Sequence, residues 1–308
     1  MVKLINDAEF ILVMKHTLKV TIIMVVFFLI AQLIGLGVTY GYIDKEKSAA
    51  GEEVVFQELP FGMERPQIGG TALLFLVAGA IIIGTIILLL LIKFKAGLFW
   101  KIWYFFAVWL TLAIAFGGIL RPYFFVAGSL GLVLATWKVL KPNIYVQNLT
   151  EIFIYGGLAA IFVPIKGFSI TAAIILLLLI SVYDMYAVWK SKHMVKLAKF
   201  QINSKVFAGF FVPYHLPKKG GKVKKKKGKG KLVKVKTAIL GGGDVGFPLI
   251  FAGVVMKEFG FLKSLVIPLT VSIALLFLLT KGKKDRFYPA MPFLTIGCLV
   301  GLGIVLLL

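Results

Sequence analysis

The sequence contains few of the residues on which disulfide-bonded proteins and metalloenzymes depend. Its 308 residues include one cysteine, three histidines and 16% charged side chains, whereas soluble domains are about 25% charged. The single cysteine, Cys298, excludes a disulfide framework and a paired-cysteine metal site. Three scattered histidines argue against a zinc protease. We therefore expect neither a metal site nor a cross-linked secreted fold.

Hydrophobic residues are abundant instead, at 60% of the chain, with a mean hydropathy of +0.97. No water-soluble fold can bury this fraction, so the composition predicts an all-α polytopic membrane protein. A spanning helix needs ~20 apolar residues. The apolar segment after Lys19 is too long for a cleavable signal peptide and lacks a small-residue cleavage site. Nine segments qualify as transmembrane helices: 17–43, 69–92, 97–119, 122–140, 147–165, 167–190, 237–257, 260–280 and 287–308.

The distribution of basic residues predicts the orientation of these helices. If the N-terminus is cytoplasmic, 28 of the 35 lysines and arginines fall on the cytoplasmic side, as the positive-inside rule requires. The first outer loop then holds six of the 13 acidic residues. We expect a multi-pass protein of the cell membrane with its N-terminus in the cytoplasm and its C-terminus outside.

A lysine-rich linker divides the chain into three parts. Residues 213–236 contain eleven lysines and no acid, and they separate a six-helix part, 1–212, from a three-helix part, 237–308. The composition indicates a cytoplasmic loop that lies on anionic lipid headgroups. A nucleic-acid or specific-lipid site is the alternative. No aromatic residues interleave with lysines 218–236, which argues against a nucleic-acid partner.

Only two acidic residues, Asp184 and Asp244, fall well inside the predicted helices. A charge in the bilayer costs about 3 kcal/mol or more, so such a residue is a functional candidate by default. Asp184 lies six residues before Lys190 and Asp244 eight residues after Lys236, which in helices places both roughly 9–12 Å below the cytoplasmic surface. Facing carboxyls cannot both be ionised. Such a pair can deprotonate a water while it protonates a peptide carbonyl.

Short motifs flank both aspartates. Tyr183 directly precedes Asp184, and Gly241–Gly243 directly precede Asp244. Glycines let another backbone come close, although close helix packing explains most glycine runs. The segment Pro289–Met291 starts the ninth helix near the same depth. Proline is common at such a start, so this segment carries little weight alone.

Together these elements resemble the presenilin and signal-peptide-peptidase family of intramembrane aspartyl proteases. The family has Tyr-Asp in helix six, Gly-x-Gly-Asp in helix seven and Pro-Ala-Leu in helix nine. This chain departs from the pattern with Gly242 at the free position and with Met291 in place of leucine. Methionine is also apolar and of similar size, so we expect little effect. The nine-helix count and the order of the motifs agree with the family.

The resemblance implies a catalytic pair, Asp184 and Asp244, that uses water and no other cofactor. It also implies that the flanking residues shape the site for a transmembrane-helix substrate. These residues are Tyr183, Gly241, Gly243, Pro289, Ala290 and Met291. The predicted orientation is that of presenilins rather than of the inverted signal peptide peptidases. Substrates are then expected to have the N-terminus of their helix outside.

A further hypothesis concerns the residues before the seventh helix. In 232–236, Val233 and Val235 alternate with lysines, a period typical of a strand. A strand edge can bind an unwound substrate by β-augmentation. The family resemblance supports such a strand, and linker coil is an equally good interpretation.

Three other functions compete with the protease. Paired intramembrane aspartates can serve a cation channel or a proton-coupled transporter, but the chain has no visible repeat and the Pro-Ala-Met element counts against this function. Prepilin peptidase also uses Gly-x-Gly-Asp, yet the helix count and the other two motifs argue against it. An inert scaffold does not explain two retained intramembrane acids.

Overall fold

The computed structural model describes residues 18–50, 54–191, 197, 200–214, 236–281 and 288–308. In this part of the chain, each of the nine predicted segments overlaps one long helix. The elements are α1 (Leu18–Gly41), α2 (Gly70–Lys93), α3 (Gly97–Ile119), α4 (Phe124–Leu140), α5 (Ile144–Phe162), α6 (Ile170–Met185), β1 (Gly209–Tyr214), β2 (Lys236–Gly241), α7 (Gly242–Phe259), α8 (Val266–Lys281) and α9 (Met291–Leu307). A π-helical turn, Tyr186–Lys190, extends α6, and shorter helical turns comprise Lys45–Ala50, Pro60–Gly62 and Phe261–Ser264.

Most of these helices have the length and composition of membrane-spanning segments. Six helical segments are long and apolar enough to cross a membrane: Leu18–Gly41, Ala72–Lys93, Gly97–Ile119, Ile144–Phe162, Ile170–Lys190 and Phe261–Lys281. Two shorter apolar helices are Phe124–Leu140 and Met291–Leu307. Large apolar side chains such as Phe75 and Phe125 point outward, with 81% and 83% of their surface exposed. Lipid rather than water is the environment that suits such a surface.

The seventh helix begins later than the sequence predicts. Residues Lys236–Gly241 form β2 instead of the first turns of a helix over 237–257, and α7 starts at Gly242. The prediction was wrong because β2 pairs with a segment far back in the chain, in antiparallel register from Gly209↔Gly241 to Tyr214↔Lys236. Strands rise about 3.3 Å per residue, so the helical rise of about 1.5 Å per residue does not apply between Lys236 and Gly241. Asp244 lies in the first turn of α7.

The strand pair also takes residues from both ends of the predicted linker. Pro213 and Tyr214 belong to β1, and Lys236 begins β2. The rest of the linker lies outside the described residues, and with it Val233 and Val235. Of the strand expected over 232–236, only Lys236 lies among the described residues, where it begins β2.

Helix α1 packs against four other helices and one strand. It contacts α3, α5, α7, α8 and β1. Small residues allow the close approach to α5, because a Cβ added at Gly156 would lie 3.0 Å from the Cα of Gly35. The buried amide of Gln32 donates from Nε2 to the carbonyl of Val245 at 2.8 Å. Helix α1 thus supports the residue that follows Asp244.

A polar cluster closes the C-terminal end of α1. The hydroxyl of Tyr42 donates to the carbonyl of Ile114 at 2.7 Å. The guanidinium of Arg121 lies 4.4 Å from the centre of the Tyr42 ring and that of Arg65 5.6 Å from it, within the range of cation–π attraction. Burial raises the pKa of Tyr42 to about 12, although both arginines oppose the shift. The tyrosine therefore keeps its proton and its hydrogen bond at neutral pH.

Candidate active site

Asp184 lies in the last turn of α6, with 9% of its surface exposed. The backbone N–H of Met291, the first residue of α9, donates to Asp184 Oδ2 at 3.1 Å. The first N–H groups of a helix have no partner within the helix and carry its positive end. The start of α9 therefore binds and orients this carboxyl.

Asp244 occupies the first turn of α7, directly after the strand pair. Gly241 is both the last residue of β2 and the N-cap of α7, and a Cβ added to it would lie 3.3 Å from Oδ2 of Asp244. The carboxyl again lies at the start of a helix, where a negative charge is favoured. The position of Asp244 thus depends on how β2 is held.

The two carboxyls belong to one site. Helix α6 packs against α7 and α9, and Asp184 is close enough to Asp244 to repel its negative charge. Like charges at short range cannot both be ionised, so the pair has the arrangement of an acid–base couple. Among the described residues, no three His, Cys, Asp or Glu side chains come together as a metal site would need. What this arrangement can do is hydrolysis by a shared-proton mechanism.

The Pro-Ala-Met element is placed by a second contact between α6 and α9. The hydroxyl oxygens of Ser181 and Thr295 lie 2.8 Å apart and both residues are buried. Each lies about one helical turn from the Asp184–Met291 hydrogen bond. Pro289 is buried, and Met291 has 3% of its surface exposed. The element thus touches Asp184 through its backbone, while the side chain of Met291 packs inside the protein.

The three glycines before Asp244 have different surroundings. A Cβ added at Gly242 would lie 3.0 Å from the hydroxyl of Tyr155 and 3.3 Å from the carbonyl of Ala208. Among the described residues, a Cβ at Gly241 would meet the Asp244 carboxyl, with Oδ2 at 3.3 Å, and one at Gly243 would meet the ring of Phe247 at 3.5 Å. Gly242 therefore faces the protein interior, Gly241 faces the Asp244 carboxyl, and Gly243 is exposed beside it.

Tyr183 connects the site to α2. Its hydroxyl lies 2.8 Å from Oγ1 of Thr85 in α2. Within the described part of the chain, the long helices that α2 contacts closely are α6 and α3. The structure thus gathers Tyr183, Gly241, Gly243, Ala290 and Met291 around the two aspartates, with Pro289 next to them. Val233 and Val235 lie outside the described residues.

Sequence reasoning missed a further acid, which is fully buried. Glu151 in α5 is 0% exposed, and its Oε1 lies 2.6 Å from Nζ of Lys138 in α4, itself 2% exposed. Glu151 lies near the start of the predicted helix over 147–165, and Lys138 is one of the 28 basic residues on the predicted cytoplasmic side, so neither residue stands out alone. The sequence nevertheless carries a signal of this ion pair, because two residues of opposite charge lie on either side of the short turn between α4 and α5. Tyr155, one turn after Glu151, donates from its hydroxyl to Glu151 Oε2.

Comparisons with known proteins identify the family. The sequence pattern of the family described as signal-peptide peptidase, presenilin aspartyl protease matches residues 57–308. The chain belongs to this family. Two crystal structures of a presenilin family intramembrane aspartate protease are similar in fold. One has a TM-score of 0.57 at 18% identity over 92% of this chain and 99% of the other. The second has a TM-score of 0.56 at 20% identity over 92% and 96%. No curated protein matches the chain.

Membership of the presenilin and signal-peptide-peptidase family makes the chain an aspartic endopeptidase that cleaves within the membrane. The family and the apolar helices together indicate an integral, multi-pass membrane protein whose substrates are transmembrane proteins. They do not favour the channel or transporter. The resemblance read from the sequence motifs is confirmed.

Proposed function

We propose that Asp184 and Asp244 together activate one water molecule for hydrolysis of a peptide bond inside a transmembrane helix. The pair holds one proton. The ionised carboxyl takes a proton from the water as it attacks, and the protonated carboxyl donates to the carbonyl oxygen. The two then exchange roles when the intermediate collapses and the amine leaves. No cofactor other than water takes part in this mechanism.

The observation that supports this mechanism best is how the two carboxyls are held. Asp184 Oδ2 accepts from the backbone N–H of Met291 at 3.1 Å, and Asp244 lies in the first turn of α7, beside Gly241. Both carboxyls thus lie at the start of a helix, and they repel each other. No described salt bridge neutralises either of them. An ion pair would lock one carboxyl in its charged form, and these contacts leave the pair free to share a proton.

For the membrane arrangement we propose nine spans with the N-terminus in the cytoplasm and the C-terminus outside, at the cell membrane. The charge bias of the loops supports this orientation. Six segments and two shorter helices have suitable composition, and α7 would be the ninth span. We further propose that the division into 1–212, 213–236 and 237–308 is functional, with the lysine-rich linker on anionic headgroups. Substrates would then present the N-terminus of their helix outside.

The unwound substrate is proposed to bind along β2. In an antiparallel pair, residues alternate between those bonded to the partner and those facing away. The N–H of Gly242 donates to Ala208 at 3.1 Å, so by the register of the ladder Thr237, Ile239 and Gly241 direct their backbone groups away from β1. Among the described residues, no strand pairs with that edge. An extended substrate paired there would run directly past Asp244.

The test is cleavage of a single-helix substrate by the purified protein in liposomes. Wild type is compared with Asp184→Asn and Asp244→Asn, with substrate inserted in both orientations and with an aspartyl-protease transition-state analogue. We expect cuts within the apolar segment for the N-out substrate, blocked by the analogue and lost in both variants. Unchanged cleavage in the variants, together with altered ion flux across the same liposomes, would instead favour the channel.

A further inference from the structure

The buried cluster around Glu151 lies outside the catalytic pair and needs a role of its own. Besides Lys138, the carboxylate of Glu151 accepts from Gln147 Nε2 at 2.9 Å and from Tyr155, and the hydroxyl of Tyr104 lies 3.4 Å from it. Lys138 also donates to Oγ1 of Thr150 at 2.9 Å. Side chains from α3, α4 and α5 thus converge on one buried carboxylate. A buried ion pair contributes little to stability compared with apolar packing, so stability alone does not explain it.

The same side chains bind the backbone of β1 and of the residues before it. Gln147 Nε2 lies 2.8 Å from the carbonyl of Phe207 and 2.9 Å from that of Gly209. The hydroxyl of Tyr104 donates to the Phe207 carbonyl at 2.7 Å. These carbonyls face away from β2. The cluster therefore holds the start of β1 to the helices.

The next residue of α5 completes the contact with β1. The side-chain amide of Asn148 donates to the carbonyl of Phe211 at 2.8 Å and accepts from its N–H at 2.9 Å. This pair of bonds imitates a neighbouring strand. One edge of the sheet is thereby covered by α5, and the edge of β2 that faces away from β1 is left for substrate.

Strand β1 in turn fixes the segment that carries Asp244. Gly209 pairs with Gly241, and the carbonyl of Ala208 accepts from the N–H of Gly242 at 3.1 Å. The hydroxyl of Tyr155, which donates to Glu151, lies where it would meet a Cβ at Gly242. The cluster thus reaches the catalytic segment by two paths, through the strands and through Tyr155.

We infer that Glu151, with Lys138, Gln147 and Tyr104, is a positioning cluster that sets where β1 and β2, and hence Asp244 and the bound substrate, lie relative to Asp184. The inference rests on the proposed function, because it concerns the alignment of the scissile bond with the two carboxyls. A cluster that acts in this way should affect the rate per active site and the choice of peptide bond. A cluster that only stabilises the fold should affect neither.

The experiment compares Tyr104→Phe with Trp109→Phe. The first removes the hydrogen bond to Phe207 and keeps the ring. The second removes a comparable bond between α3 and α4, from Nε1 of Trp109 to the carbonyl of Gly128 at 3.0 Å, which does not touch β1. Active sites are counted by titration with a tight transition-state analogue. Then kcat, KM, thermal unfolding and the masses of the products are measured.

We expect Tyr104→Phe to lower kcat about tenfold, as for one lost interaction in the transition state, and to spread the cuts over additional bonds. Trp109→Phe should lower only the unfolding temperature. Wild-type kcat and products in Tyr104→Phe, or equal changes in both variants, would overturn the inference. If Tyr104→Phe yields too few active sites, Asn148→Asp, which cannot donate to Phe211, takes its place with the same criteria. Failure of the proposed function looks different, since the wild-type protein would then not cleave.

Discussion

Gly242 and Gly243 are adjacent in sequence but have opposite surroundings, so alanine at each position separates packing from substrate access. At Gly243, which is exposed, the one contact that a methyl group would make with the described residues is with the ring of Phe247, at an ordinary 3.5 Å. Alanine is favoured over glycine in a helix by about 1 kcal/mol in the interior and by less in the first turn. Gly243→Ala should therefore fold at least as well as wild type.

Cleavage should nevertheless fall in Gly243→Ala. The methyl group would occupy the open side of the residue next to Asp244, where we propose that the substrate backbone passes. A clash that costs about 1.4 kcal/mol in the transition state lowers kcat/KM about tenfold. A substrate that must approach this closely should also show a raised KM. We expect this loss of kcat/KM although the number of titratable active sites and the unfolding temperature stay unchanged.

Gly242→Ala should behave in the opposite way. Its methyl group would lie 3.0 Å from the hydroxyl of Tyr155 and 3.3 Å from the carbonyl of Ala208, so one of these groups must move. Overpacking of this kind costs about 1–3 kcal/mol. We expect a lower unfolding temperature and fewer titratable active sites. Wild-type kcat/KM in Gly243→Ala, or a stability loss equal to that of Gly242→Ala, would refute this account of the glycine segment.

Three further predictions test other contacts. Ser181→Ala and Thr295→Val should each lower the free energy of unfolding by about 1 kcal/mol. Because the two hydroxyls bond each other, the double variant should lose less than the sum of the two losses. Additive losses in a double-mutant cycle would contradict the contact. Tyr42→Phe should lower stability by a similar amount through its lost hydrogen bond, with kcat unchanged per active site; a changed kcat would mean that this end of the bundle affects the catalytic end. Thr237→Pro should impair cleavage of a helical substrate and leave the strand pair intact, because the Thr237 N–H faces away from β1. Ala238→Pro should instead destabilise the strand pair. Normal cleavage by Thr237→Pro would exclude binding along β2.

The candidate pair could be singled out from the sequence because charges are rare inside apolar helices. Asp184 and Asp244 stood out against a background of hydrocarbon, and the flanking Tyr183 and Pro289–Met291 gave the order of the motifs. Helix boundaries away from the strands were also accessible, since long apolar runs and Pro- or Gly-marked turns define them. The family assignment rested on these local features, and the comparisons confirm it.

The strand pair could not be predicted because its partners are far apart in sequence. Gly209 pairs with Gly241 across the linker, and local periodicity does not show such a contact. Helical geometry therefore does not apply to Lys236–Gly241, which form a strand. The strand expected over 232–236 stays a prediction, because Val233 and Val235 lie outside the described residues.

Glu151 was missed for a different reason. Its partner Lys138 lies near the end of the predicted helix over 122–140, and each residue alone has an ordinary explanation at a helix end. Only the packing of α4 against α5 brings Nζ of Lys138 to 2.6 Å from the carboxylate. A lysine and a glutamate on either side of a short turn between two helices can therefore be examined in a sequence as a candidate ion pair.

We propose above that the two aspartates act as one unit. A comparison of kcat for Asp184→Asn, Asp244→Asn and the double variant on one substrate tests this directly. Residues that act together lose nearly all activity when either is removed, and a second removal then costs little more. The account predicts that all three variants fold, bind substrate and show the same residual rate. A single variant that stays well above the double variant would contradict it.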